Sequence, residues 1–98
     1  MVIEWQKIRV ESEVRDRYLK KDREIWTAGL AREEGFLGKE VWLGEDPEDI
    51  EVILVIRWHS EEHWKGIPKE RLDDLDSRFR EAVPEGWELV ETRSYEVA

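Results

Sequence analysis

The sequence has no cysteine and no asparagine, only three prolines and a single methionine, and no apolar run of the length that crosses a bilayer. Each gap excludes something. Without cysteine there is neither a disulfide nor a thiolate metal site, and such a composition suits a reducing compartment. A membrane span needs roughly 18 to 20 apolar residues, whereas charges interrupt this chain every few positions, so no membrane partner is expected. The opening MVIEWQKIRV lacks the basic flank and apolar core of a signal peptide, which places the protein in the cytoplasm. No phosphate-binding glycine loop, nucleophile elbow or zinc-site spacing occurs.

What is present is a chain of 98 residues, the size of one domain spanning 1–98. A domain this small buries only roughly 60 to 65% of its unfolded surface. With no disulfide available, self-association into a homodimer is the expected supplement. The formal net charge of -9 is spread along the chain, which repels phosphate backbones and argues against a nucleic-acid partner. Six tryptophans, at positions 5, 26, 42, 58, 64 and 87, stand in a chain that is 42% charged. Side chains that large must share the core or line a second buried surface.

Taken in order, the β-branched stretch 2–10 reads as a strand. Ser12 then caps a helix over 12–32, with Glu13 in its first turn and Gly35 able to take the left-handed conformation beyond its end. Strands over 36–43 and 50–58 flank an acidic turn at 44–49, and the second is apolar on both sides, the mark of a strand buried on both sides. Ser60 caps a short helical stretch, Gly66 and Pro68 interrupt it, and Pro68 starts a helix striped by Leu72, Leu75, Phe79 and Val83. A last strand runs over 87–97. The order βαββαβ folds most simply into a four-stranded antiparallel sheet with both helices on one face, a ferredoxin-like α+β fold with strands one and three central.

Strict alternation assigns the strand residues to two faces. Ile8, Val10, Leu37, Val41, Leu43, Ile50, Val52, Leu54, Ile56 and Trp58 form an aliphatic set that helices should cover. The opposite face collects Ile3, Trp5, Phe36, Trp42, Ile53, Val55, Leu89 and Tyr95 with Lys7, Arg9, Arg57 and Arg93 against Glu40, Glu51 and Glu91. That mixture is too apolar for water and too charged for a core, so it reads as the surface through which two copies meet. Its four bases against three acids leave one positive charge on an acidic molecule, favouring an acidic ligand, with internal ion pairs as the alternative.

The segments GFLGKEVW, ILVIRWHSEEHW and RSYEV, with the acidic turn between the first two, resemble the dimeric α/β-barrel superfamily of antibiotic-biosynthesis-monooxygenase-like proteins. Within it, nearly the full length is similar to a group of small, mainly cyanobacterial proteins. The resemblance implies that two ferredoxin-like protomers join their sheets into a barrel with a central cavity. The superfamily holds cofactor-independent oxygenases, haem-degrading enzymes and isomerases, so the fold alone selects no activity. Haem-degrading members look for an asparagine on the first strand and a histidine far along the second helical region. This chain has no asparagine, and its two histidines, His59 and His63, come early in that region. No cofactor is therefore expected.

Asp22 lies between the helical stripe of Val14, Tyr18 and Ile25 and that of Leu19, Trp26 and Leu30, where a carboxylate must find donors or rise in pKa. It is a candidate general base or ligand anchor beside Trp26, or else a buried aspartate bonded to an indole or an arginine. Arg57, near the end of the central strand, is a candidate for gripping a ligand carboxylate, or for pairing with Glu40 or Glu91. Trp5, Trp42 and Tyr95 are candidates to line an aromatic cavity for a small molecule. His59 and His63 are four residues apart, but the Ser60 cap separates them, so no metal site is assigned. Two functions stay open: an oxygenase acting on a small aromatic or acidic ligand without a cofactor, and a non-catalytic homodimeric module with a packed barrel interior.

Overall fold

In the computed structural model, which describes residues 1–46, 48 and 50–98, β1 (Val2–Val10) and β3 (Glu51–Trp58) pair antiparallel along their whole length. Each is flanked by an edge strand, β4 (Trp87–Glu96) beside β1 and β2 (Phe36–Leu43) beside β3, giving the order β2-β3-β1-β4. Of the turn expected over 44–49, Pro47 and Asp49 lie outside the described residues. The doubly apolar strand takes a central place: Val52, Leu54, Val55, Ile56 and Trp58 are all buried.

Two bulges correct the face assignment. The β2–β3 register shifts between Phe36 and Gly38, so Phe36 pairs with Trp58 while Gly38 pairs with Arg57. An extra residue in one strand reverses the alternation beyond it. Phe36, expected on the open face, thus packs beneath the helices with its ring edge-on to Trp58 at 5.8 Å. Leu37, expected there, turns to solvent. A second shift between Lys7 and Ile8 sets Leu89 opposite Ile8, on the helix side. Val41, Leu43 and Ile50, expected in the core, are exposed toward the β2–β3 hairpin tip.

The first helical stretch also departs from expectation. Ser12 is not its cap. Val14 takes that position without a side-chain bond, and α1 runs over Arg15–Lys21. A π-helical segment, Asp22–Thr27, follows, in which the N–H of Ala28 bonds the carbonyl of Arg23 five residues back. The stretch closes with α2, Ala28–Leu30. The sequence explains the wide turn. Val14, Tyr18, Asp22, Trp26 and Leu30 recur every four residues, and on a straight α-helix such a ridge drifts by about 40° per step, or about 160° over four steps. A wider turn rotates less per residue and takes up the drift, so the ridge keeps facing the sheet.

Ser60 does cap α3 (Glu61–Lys65), its Oγ accepting from the His63 N–H at 3.2 Å. Pro68 precedes α4 (Lys69–Ala82), whose stripe buries Leu75 and Phe79, with Val83 buried just after it. The core has two clusters. One gathers Ile8, Val10, Tyr18, Val52, Leu54, Phe79 and Val83. The other gathers Leu30, Ile56, Trp58, Ile67 and Leu75. Ile25 and Trp26, from the π-helical segment, pack against both.

Gly35 holds the entry into β2 with φ +87, and a Cβ there would stand 2.4 Å from His63 Cβ. Its carbonyl also accepts from the His59 N–H at 2.7 Å, joining the strand start to the end of β3. Gly35→Ala is expected to lower the unfolding free energy by at least about 1 to 3 kcal/mol, the cost of a left-handed non-glycine residue. Urea unfolding checks it; an unchanged midpoint would show that the segment relaxes freely.

Candidate functional site

Polar side chains collect where the two core clusters meet. On the helix-facing side of the sheet, Ile56 of β3 has Glu4 of β1 on one flank and Lys39 of β2 on the other. Lys39 Nζ donates to Asp22 Oδ2 at 2.7 Å. Both side chains are almost wholly buried, 2% and 3% exposed. Glu4 Oε1 accepts from the Trp58 indole N–H and Oε2 from the Gln6 amide, each at 3.2 Å. Isolated buried charges are costly, and these groups hold one another.

They border a cavity of about 250 Å³ between sheet and helices. Asp22, Lys39, Glu4 and Gln6 supply its polar wall, while Trp26, Trp58, Trp64 and Trp87 supply its aromatic one. Burial pushes the Asp22 carboxyl above the usual carboxylate range, against the pull of the Lys39 ammonium. Burial likewise raises Glu4, opposed first by the Trp58 hydrogen bond and then by the charges of Lys39 and Lys65. Tyr18, on the same wall, is pushed well up by burial and by Asp22. A base that must act away from water is helped by such an environment. A wider groove of about 710 Å³ lies outside, along Gly29, Glu33, His63, Arg71 and Arg78. It is open to solvent, and Arg71 and Arg78 are already engaged with Glu33 and Asp74, so the inner cavity is the better candidate.

The sequence-derived candidates divide between the two sides of the sheet. Asp22 and Trp26 border the cavity. Trp5, Trp42, Arg57 and Tyr95 occupy the open face, as their pairing with Val55, Ile53, Ile3 and Gly38 requires: Trp5 with Val55, Trp42 with Ile53, Arg57 and Tyr95 with Ile3, and Gly38 with Arg57. Asp22 and Arg57 therefore cannot act on the same small molecule. Arg57 bonds Glu40, which also accepts from the Trp42 indole at 2.9 Å. These two bonds, Trp42 first, hold Glu40 below the usual carboxylate range. The other cations are engaged too, Lys7 with Glu51 at 3.6 Å and Glu91 at 3.9 Å, Arg9 with Glu88 at 3.0 Å, and Arg93 with Glu91. Glu88, missed by strict alternation because of the β1–β4 shift, brings the face to four bases and four acids. The inferred positive surplus, and with it the pull on an acidic ligand, disappears.

Lys39, Glu4 and Gln6 were not singled out from the sequence, although a signal existed for two of them. Glu4 and Gln6 are polar at helix-facing positions of β1 flanked two residues away by the buried Val2 and Ile8, whereas Lys39 lies between the exposed Leu37 and Val41 and gave no such signal. Asp22 was expected to find an indole or an arginine and instead finds a lysine from the edge strand. His59 and His63 have their rings edge-on at 5.3 Å, and among the described residues no three potential metal ligands gather.

The pair makes stability depend on pH with a definite sign. With its pKa raised by folding, Asp22 holds its proton in the native state where the unfolded chain has lost it. Stability from this group is therefore greatest below the ordinary aspartate range and falls as pH rises through the native pKa. Relative to Asp22→Asn, the wild type should lose stability as pH climbs from about 4. Lys39→Met should steepen that fall and cost about 3 to 5 kcal/mol at neutral pH, because it leaves a buried charge unpaired. Urea unfolding across pH 4 to 8 measures both; parallel curves for all three proteins would show that the pair does not titrate.

A family model described as antibiotic biosynthesis monooxygenase matches residues 1–70. Among solved structures, the chain resembles SnoaB, a cofactor-independent oxygenase from Streptomyces nogalater, at 12% identity and TM-score 0.74, over 99% of this chain and 92% of that one. It resembles HapK from Hahella chejuensis at 14% identity and TM-score 0.78, over 100% and 93%. A conserved protein from Methanosarcina mazei Go1 aligns at 17% identity and TM-score 0.67, over 96% and 89%. Among curated proteins none matches. Among the described residues no helix is long and apolar enough to cross a membrane. A family match across more than two thirds of the sequence, on a ferredoxin-like sheet with helices packed on one face, means that the chain belongs to the antibiotic biosynthesis monooxygenase family.

Proposed function

We propose that this protein is a cofactor-independent monooxygenase acting on a small hydroxy-aromatic molecule held between sheet and helices. One observation carries the reading: a buried carboxylate, Asp22, borders a cavity between sheet and helices that tryptophans help to wall. Cofactor-free oxygenation needs a substrate that becomes a carbanion and gives its own electrons to oxygen. The protein has to bind, deprotonate and exclude water. In this scheme Asp22 takes a proton from an activated ring methylene, and the carbanion reduces dioxygen and combines with it as a hydroperoxide. Loss of water leaves a ring carbonyl, so one oxygen atom enters the product and the other leaves as water. Lys39 holds Asp22 in place, and Trp26 offers a flat wall to the ring. A volume of about 250 Å³ is below the roughly 300 to 1,000 Å³ of common ligand sites, so the fitting substrates have one or two rings.

The family membership and the oxygenase activity stated for SnoaB support this reading. The narrower likeness to small cyanobacterial proteins, and a place in the cytoplasm, rest on the sequence alone. Oxygen-electrode measurements over a panel of one- and two-ring phenols test it. Uptake is expected with at least one of them, falling about 10²- to 10⁴-fold in Asp22→Asn, the usual contribution of a general base. No uptake across the panel, or full activity in the variant, would reject the scheme.

The open face supports the second half of the proposal, a homodimer packed sheet against sheet. Trp42, Leu37 and Tyr95 are each about half exposed, at 49, 52 and 46%. Aromatic surface of this kind beside self-compensated charges suits a second copy. Sedimentation should give a dimer at micromolar concentration, and the double substitution Trp42→Lys with Tyr95→Lys should give a folded monomer. A monomeric wild type would remove the shared barrel. The alternative of a non-catalytic module has its own support, since among the described residues every buried side-chain polar atom already has a partner.

A further inference from the structure

The three acids on the cavity wall are not equivalent. Asp22 has Lys39 at 2.7 Å, and Asp76 accepts from Arg80 Nε at 2.9 Å. Glu4 alone is held by neutral donors, the Trp58 indole and the Gln6 amide, and no ion pair reaches it among the described residues. Lys39 and Lys65 act on it only at longer range. Glu4 is thus the one acid on the wall that no cation pairs among the described residues. A carboxylate offers about four acceptor positions. Two are used, so two remain for a ligand. Tryptophan rings nearby favour a cation over a neutral group or an anion, because the ring faces carry negative charge.

We infer that the cavity recognises the ammonium group of a small arylalkylamine, with the ammonium on Glu4 and the flat ring between Trp26 and Trp64. This rests on the cavity being the substrate site and narrows the substrate class. The oxygenated molecule is an aromatic amine cation; an acidic ligand would find both cations of the wall engaged, Lys39 by Asp22 and Arg80 by Asp76. Glu4 is a specificity residue in this arrangement. It selects by charge, and Asp22 is left to the proton chemistry.

Isothermal titration with three ligands of nearly equal size tests the inference: phenethylamine, 2-phenylethanol and 3-phenylpropanoate. The amine is expected to bind at least tenfold more tightly than the alcohol, and the acid not measurably. Glu4→Gln keeps an acceptor for Trp58 and should reduce the preference for the amine to below twofold, while Glu40→Gln on the open face should leave it intact. Equal binding of amine and alcohol to the wild type, or a tenfold preference surviving Glu4→Gln, overturns the inference. The Trp58 indole N–H resonance gives the same answer on the unsubstituted protein, should Glu4→Gln fail to fold. It should shift with the amine and much less with the alcohol, and equal shifts again overturn the inference. Oxygen uptake enters neither measurement. An amine-selective protein without oxygenase activity, and an oxygenase that takes neutral phenols alone, therefore give different results.

Discussion

Lys39 crosses from an edge strand to the far side of the seam between two apolar clusters, and its bond to Asp22 sets the terms for everything around it. Neither charge has water to turn to, so each depends on the other, and together they tie β2 to the first helical stretch. A well-packed apolar pair in the same place would often be as stable or more so. The pair is therefore poorly explained by stability alone. It keeps a polar centre inside a domain too small to spare much core. The cavity borders that centre, and its tryptophan walls keep the local dielectric low, which strengthens each interaction within.

The sheet separates two kinds of polar organisation. Toward the helices the charges are few, buried and individually placed. On the open face they are numerous and solvent-exposed, and they compensate one another across strands: Lys7 between Glu51 and Glu91, Arg9 against Glu88, Arg57 against Glu40. Trp5 lies within 6 Å of two of these cations, Lys7 and Arg93. Exposed pairs of this kind contribute little each. Their effect is to make a neutral, partly aromatic surface on a molecule whose total charge is -9. Two such faces can approach without a local penalty, even though the molecules as wholes repel.

The strands, the strand order and the α4 stripe were legible because hydrophobic periodicity records burial directly: β3 is apolar on both sides and central, and Leu75 and Phe79 face inward at helical spacing. What alternation could not reveal was its own interruption. The bulges at Gly38 and between Lys7 and Ile8 moved Phe36, Leu37 and Leu89 across the sheet, and a bulge leaves no composition signal as strong as a turn does. Asp22 stood out because a carboxylate among apolar residues is conspicuous. Its partner did not, because Lys39 lies seventeen residues away on a strand whose lysine reads as ordinary edge protection. Arg57 and the open-face aromatics were legible as a surface, while the cavity needed the packing of helices on sheet, which no local pattern encodes.

The π-helical segment from Asp22 to Thr27 gives this architecture a local tolerance of residue count. A wide turn accommodates one residue more than an α-helical turn would. Deleting a single residue late in that segment would let it close into α-helix while the helical faces before and after it keep their directions. The same deletion within α4 (Lys69–Ala82), which has no wide turn, would rotate everything beyond it by about 100°. Changes of chain length are thus absorbed most readily in the very segment that carries Asp22, with the strands, the sheet order and the open face all retained.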